Sequence, residues 1–251
     1  YNTPVLNCIY NCDYCYLQGM YNSGNMVIFV NENEFRRSIK DALLAPKDAT
    51  KPTIVSISYN TDLLAMENIL PLTRRWIEFA EKNKNLIIEV RTKSALISSI
   101  NDMRPIENVI LSWTLSPQII CDLYEHTAPP LKSRLRAVKS AIDLGWKIRL
   151  CLDPVIFVDN WYEIYSEFIS KVFNEIEAKK VEDITLGVFR MNKDFFNRIR
   201  RRDPKSDIYF QDYTIEGKTV VESKSKRVEG LNMLTNVLLK YAPEKNILVW
   251  D

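Results

Sequence analysis

Three cysteines, Cys8, Cys12 and Cys15, stand close together near the start of the chain, in the run CIYNCDYCYLQG. Their spacing is C-x3-C-x2-C, and thiolates are soft ligands that suit a metal centre. A structural zinc site takes four Cys or His ligands. The chain has a single histidine, His126, and Cys121 and Cys151 stand apart from the trio and from each other. Zinc therefore has no evident fourth ligand. A redox dithiol would use Cys12 and Cys15 as a C-x2-C pair and leave Cys8 without a role. A [4Fe–4S] cluster usually takes four thiolates. Three would leave one iron with open sites, which is useful when a substrate or cosubstrate must bind the metal directly. Spacing alone keeps all three readings open.

The composition bounds the class. A chain of 251 residues makes one large α/β domain or two small ones, with ample material for a core. Hydrophobic residues at 46% and charged residues at 26% are ordinary for a globular protein. A net charge of +2 does not argue for a strongly nucleic-acid-coated surface. With 6 glycines and neither GxGxxG nor GxxxxGK[ST], a glycine-rich phosphate loop is not expected. No apolar run approaches the ~18 residues of a membrane span, so no membrane contact is expected. Five cysteines, three of them bunched, do not form a disulfide framework, and a reducing, cytoplasmic setting is expected. The opening residues are polar, so no signal peptide is expected. The chain opens on Tyr1 rather than Met, so further upstream sequence is expected. We expect a monomer.

The elements that must position the cysteines follow from periodicity. Strands are predicted at Met26–Asn31, Thr53–Tyr59, Leu86–Thr92, Val109–Leu115, Trp146–Leu152, Ile184–Phe189 and Asn246–Trp250. Helices are predicted at Glu32–Leu44, Leu70–Lys82, from about Ser94, at Pro130–Leu144 ending on Gly145, Trp161–Ala178, Asp194–Arg202 and Ser225–Tyr241. Alternating strands and helices imply βα units and a parallel sheet. Parallel strands covered by helices are usually apolar on both faces. Several of these alternate instead. Glu89, Arg91 and Lys93 share one face; so do Ser112, Thr114 and Ser116, and likewise Arg149, Cys151 and Asp153. Ser56 and Ser58 share another. The pattern predicts a curved sheet with helices outside and polar faces lining a lumen: a partial (β/α)6-type, TIM-like barrel of the α/β class. We place the barrel and its cysteine loop in residues 1–192, with a helical and hairpin extension in 193–251.

With the aromatic Tyr14 before the last cysteine and a βα barrel to follow, the cysteine run resembles the signature of the radical S-adenosylmethionine (SAM) superfamily. The resemblance implies that Cys8, Cys12 and Cys15 hold a [4Fe–4S] cluster whose fourth iron is chelated by SAM. It implies reductive cleavage of SAM to a 5′-deoxyadenosyl radical, which abstracts a substrate hydrogen. It also implies an external one-electron reductant of flavodoxin or ferredoxin type, and Tyr14 packed near the adenine.

Further words look like the spore photoproduct lyase family across nearly the whole chain. They are CYLQG at Cys15–Gly19, FVNENEF at Phe29–Phe35, NTDLLAME at Asn60–Glu67, VRTKS at Val90–Ser94 and SWTLSP at Ser112–Pro117. YEHTAPPLKSRLRA at Tyr124–Ala137, DPVIFVDNW at Asp153–Trp161 and KRVEGLNMLTNVLLKYAP at Lys226–Pro243 continue the series. That family reverses a thymine dimer in spore DNA. The resemblance puts Lys93 at the methionine carboxylate, and Ser112, Thr114 and Ser116 at polar cosubstrate contacts. It places Asp62 at the barrel mouth and Tyr16 beside Tyr14 in the radical-transfer loop. The family's hydrogen donor is a cysteine, and its place here holds Tyr59. Tyr59 and Cys151 are the candidate donors in its stead.

The basic run Arg198–Arg202 with Lys205 suits phosphate contact, and Ile208–Lys224 reads as a hairpin turning near Glu216–Gly217. DNA is thus a candidate partner. Two other readings stand beside a lyase-like enzyme acting on DNA. One is radical chemistry on a peptide or small metabolite. The other is a non-catalytic, cluster-containing nucleic-acid binder.

Overall fold

The computed structural model describes residues 1–44 and 52–251. Strands β1 (Val5–Leu6) and β2 (Val27–Ile28) pair antiparallel and bracket the cysteine loop and the short helix α1 (Leu17–Met20). Then come α2 (Glu32–Leu44), β3 (Thr53–Ser56), α3 (Leu72–Glu81), β4 (Leu86–Thr92), β5 (Val109–Thr114), α4 (Gln118–Tyr124), α5 (Leu131–Leu144), β6 (Lys147–Val155), α6 (Trp161–Glu175) and β7 (Asp183–Val188). The chain closes with β8 (Arg190–Asn192), α7 (Lys193–Arg202), β9 (Thr214–Glu216), β10 (Thr219–Val221), α8 (Lys224–Leu238) and β11 (Ile247–Trp250).

Six strands form one parallel sheet in the order β11-β7-β6-β5-β4-β3, curled into a half barrel. Local chemistry sets the helix ends. Buried Glu67 accepts from the backbone N–H groups of Thr73 (2.7 Å) and Arg74 (2.9 Å), which completes the first turn of α3. Gly145 closes α5 with φ 97°, a conformation that glycine adopts without a Cβ penalty. Asn192 caps α7 and Ser223 caps α8.

The alternation read from the strands is the one observed. Along β4, Leu86, Ile88, Val90 and Thr92 are buried, whereas Ile87, Glu89 and Arg91 are half-buried. The outer layer supplies Trp76, Ile77 and Ala80 from α3, Leu135 and Val138 from α5, and Phe168, Ile169 and Val172 from α6, all in one core. Each such side chain adds roughly 1.5–3 kcal/mol of burial.

Three expectations change. Only Val27–Ile28 of the predicted strand Met26–Asn31 is paired, and its partner is β1, outside the barrel. Its two side chains are exposed, with no helix to cover them. The sixth barrel strand is β11, paired with β7, so the C-terminal segment is part of the same sheet. Helix α4 was not expected. It starts directly after Pro117, whose fixed φ suits a helix start. The hairpin is observed as β9 and β10 around Gly217, and β10 also pairs with β8.

Candidate active site

The cysteine loop leaves β1 through Asn7, which has φ 68° and donates from Nδ2 to the carbonyls of Ser23 (3.0 Å) and Asn25 (2.6 Å). The loop is clamped against the segment after α4. Asp13 N–H donates to the Tyr124 carbonyl (2.9 Å), His126 N–H to the Asn11 carbonyl (3.2 Å), and Asn11 N–H to Thr127 Oγ1 (2.8 Å). Tyr209 donates to the Asp13 carbonyl. Cys12 is buried, and Cys8 and Cys15 are half-buried. Burial, then Asp62, pushes the Cys8 thiol up to about 12, and burial also raises Cys12 and Cys15. A bound metal reverses that preference, because a coordinating thiol is deprotonated outright. Among the described residues, no three His, Cys, Asp or Glu side chains form a group that could hold a metal ion. A polynuclear cluster places its thiolates on different irons and does not need them to converge. Three cysteines on one clamped loop fit that donor set.

Beside the loop sits a buried charged group. Glu125 accepts from Tyr14 Oη and from Arg134 Nη2, and Ser116 Oγ lies 3.2 Å from Glu125 Oε1. Lys93 Nζ stands 5.3 Å from the Tyr14 ring centroid. Burial works against the Glu125 charge, but Lys93 and Arg134 overcome it and hold the carboxyl below its ordinary range. Burial likewise opposes the Lys93 charge, and Cys12 and Glu125 keep the ammonium protonated. The structure therefore gathers Tyr14, Lys93 and Ser116 next to Cys12, with Glu125 and Arg134 holding them.

Asp62 braces this mouth. Its Oδ1 accepts from Thr92 Oγ1 (2.7 Å) and Ala65 N–H (3.0 Å), and its Oδ2 from Lys93 N–H (2.7 Å). Tyr16 and Tyr59 form a separate aromatic group. Tyr16 Oη is 2.8 Å from the Tyr59 carbonyl, and their ring centroids are 5.9 Å apart. Tyr59 is 45% exposed and stacks on Tyr1 at 4.0 Å.

The remaining candidates lie deeper. Thr114 and Cys151 are register partners on β5 and β6, and Arg91 Nε lies 3.3 Å from Thr114 Oγ1. Cys151 is buried; burial raises its thiol, and Arg91 partly opposes the rise. Ser112 is not at the mouth. It lies about 13 Å along β5 from Ser116 and donates to Glu89 (2.9 Å), which also receives Arg149 (3.1 Å).

A parallel half barrel with a three-cysteine loop over the C-terminal ends of its strands defines the radical SAM class. The family model for spore photoproduct lyase matches residues 1–228, and the chain belongs to that family. A curated spore photoproduct lyase from Clostridium acetobutylicum is 22% identical over 183 residues, 72% of this chain and 54% of that protein. The chain thus spans about half the length of this relative. A spore photoproduct lyase double mutant with bound AdoMet and dinucleoside spore photoproduct superimposes with a TM-score of 0.87. It is 18% identical and covers 98% of this chain and 74% of its own. Streptococcus suis SuiB bound to precursor peptide SuiA gives a TM-score of 0.60 at 11% identity, covering 99% of this chain and 48% of its own. Among the described residues no helix is long and apolar enough to cross a membrane.

The sequence places Glu125 and Arg134 within the family-like run Tyr124–Ala137 without a site role, and it does not point to Arg190 or Tyr209. The Tyr14–Glu125 contact joins positions 111 residues apart, so no local pattern reports it. Arg190 opens β8 with only Phe189 between it and β7, and only the fold brings it to Asp153.

Proposed function

We propose that this chain is a radical SAM enzyme with a lyase-like reaction on a thymine photoproduct in DNA. The carrying observation is the clamped loop of Cys8, Cys12 and Cys15 packed against Lys93 and Glu125 at the mouth of the half barrel. Held by the three thiolates, a [4Fe–4S] cluster would supply the electron that cleaves SAM to a 5′-deoxyadenosyl radical. Lys93 offsets the methionine carboxylate in a site of low dielectric. Tyr14 offers its ring to the adenine, while Glu125 fixes its hydroxyl. Ser116 and Thr114 offer hydroxyls to the cosubstrate from one lumen face. Asp62, with its carboxylate bound by three protein donors, positions the Lys93 backbone. Tyr16 and Tyr59 stand where the product radical would be quenched, with Cys151 as the buried alternative. An external one-electron reductant of flavodoxin or ferredoxin type would supply the electron, and the setting is cytoplasmic.

The test is incubation of the reconstituted chain with DNA carrying the thymine photoproduct under reducing, anaerobic conditions. Restored thymine supports the reading. SAM cleavage without restored thymine would move the substrate elsewhere. Tyr59 at the donor position, and the fold shared with a peptide-binding relative, favour a peptide as that second substrate.

A further inference from the structure

Two ion networks line the lumen, and they differ in kind. The deep one is closed. Arg149 Nη2 donates to Asp183 Oδ2 at 2.8 Å and its Nη1 to Glu89 Oε1 at 3.1 Å, with Ser112 also on Glu89. One cation serves two carboxylates, and the Arg149 side chain is 16% exposed.

The outer network reverses the charge balance. Here one carboxylate, Asp153, serves two guanidiniums. Arg91 Nη2 lies 3.2 Å from the Asp153 carbonyl and 3.4 Å from its Oδ2. Arg190 Nη1 lies 3.3 Å from Oδ1, and its Nη2 3.4 Å from Oδ2. Every contact to Asp153 is longer than those of the deep network, while Arg190 Nη1 also donates to the Val188 carbonyl at 2.9 Å. Both arginine side chains remain 39% exposed. Among the described residues, Arg91 Nη1 has no hydrogen-bond partner. Gly187 keeps the space open, because a Cβ there would sit 3.0 Å from Asp153 Oδ1 and 3.1 Å from Arg190 Nη1. Arg91 is two residues before Lys93 on the same face, about 7 Å along the strand. Below the mouth the lumen therefore carries two guanidiniums against one carboxylate.

We propose that Arg91 and Arg190 form an anion subsite for the phosphodiester that bridges the two nucleosides of the lesion, with Asp153 holding both guanidiniums in place. The inference rests on the lyase-like reading above and names the substrate group this site recognises. Two forks approaching one point from β4 and from the start of β8 suit the two free oxygens of a phosphodiester. Planar guanidinium forks bind such oxygen pairs in bidentate fashion.

The experiment measures calorimetric binding to the cluster-reconstituted chain with SAM present. The probes are the synthetic thymine photoproduct as a dinucleotide, and the same lesion as a dinucleoside without its phosphate. Wild type should bind the dinucleotide about tenfold tighter, the scale of one charge-assisted hydrogen-bonded pair. Arg190→Gln and Arg91→Gln should each erase that preference, and Arg190→Lys should restore part of it. Thermal melts of each variant report folding separately. Equal binding of the two probes by wild type would overturn the subsite, as would a preference that survives Arg190→Gln. So would failure to bind either probe by a chain that still forms 5′-deoxyadenosine, and so would Arg190-dependent binding of a carboxylate peptide instead. A chain that forms no 5′-deoxyadenosine fails at the enzymatic reading itself, which separates the two failures.

Discussion

Tyr16 donates its hydroxyl to the backbone carbonyl of Tyr59 at 2.8 Å, tying the residue after the third cysteine to the position where the family carries its donor. Asn60 Oδ1, 3.0 Å from the same hydroxyl, shares that tie. These bonds tie the cysteine loop to the segment that follows β3. Tyr59→Phe keeps the ring and removes only the phenolic hydroxyl, the group that would give up the hydrogen. SAM cleavage should persist, while quenched product per 5′-deoxyadenosine falls several-fold by chromatographic analysis. An unchanged ratio would make Tyr59 a packing aromatic.

Lys93→Ala removes the one cation that reaches the Tyr14 ring among the described residues. Loss of a charge-assisted contact costs roughly 1.5–3 kcal/mol, so SAM affinity should fall on the order of 10–100-fold. Calorimetric titration of SAM into the reconstituted protein reads this directly. Thermal stability should change little.

The Glu125–Arg134 pair has both side chains fully buried. Arg134→Met strands a buried carboxylate and should destabilise the fold by about 3–5 kcal/mol, seen as a lower denaturation midpoint. The double variant with Glu125→Leu should recover only part of that loss, because the buried carboxylate is gone but Lys93 and Tyr14 lose their partner with it. The sign with pH follows from the shift. Glu125 is held below its ordinary 4.5 in the fold, so its contribution is present above that pH and is lost as pH falls through the lower folded value.

Gly19 lets α1 lie directly on α7. A Cβ there would sit 2.4 Å from the Phe195 carbonyl oxygen, a backbone atom that cannot rotate away. Gly19→Ala should cost about 1–3 kcal/mol by overpacking and should loosen the cysteine loop. Iron content after reconstitution and the melting temperature check it together.

Much of this was legible in the chain. The cysteine spacing and the polar–apolar alternation of β4, β5 and β6 report local chemistry, and a lumen follows from them without coordinates. Gly145 announced the end of α5 for the same reason. The sixth strand was harder to read. The expected strands Met26–Asn31 and Asn246–Trp250 are both short, and only the crossover through α8 decides that Ile247–Trp250 joins β7. The mouth was harder still. Glu125 reaches Tyr14, Arg134 and Ser116 from a turn after an unexpected helix, and Arg190 comes to Asp153 across 37 positions. Such pairings are set by topology and leave no periodic trace. Ser112 shows the reverse limit. Its face was read correctly, but its depth in the lumen was not.

The proposed radical chemistry on SAM rests on the three thiolates. Its direct measurement is 5′-deoxyadenosine formed by the anaerobically reconstituted chain with SAM and dithionite. Wild type should form it steadily, and Cys8→Ala, Cys12→Ala and Cys15→Ala should form none. Wild-type protein with its cluster intact and no 5′-deoxyadenosine would contradict it.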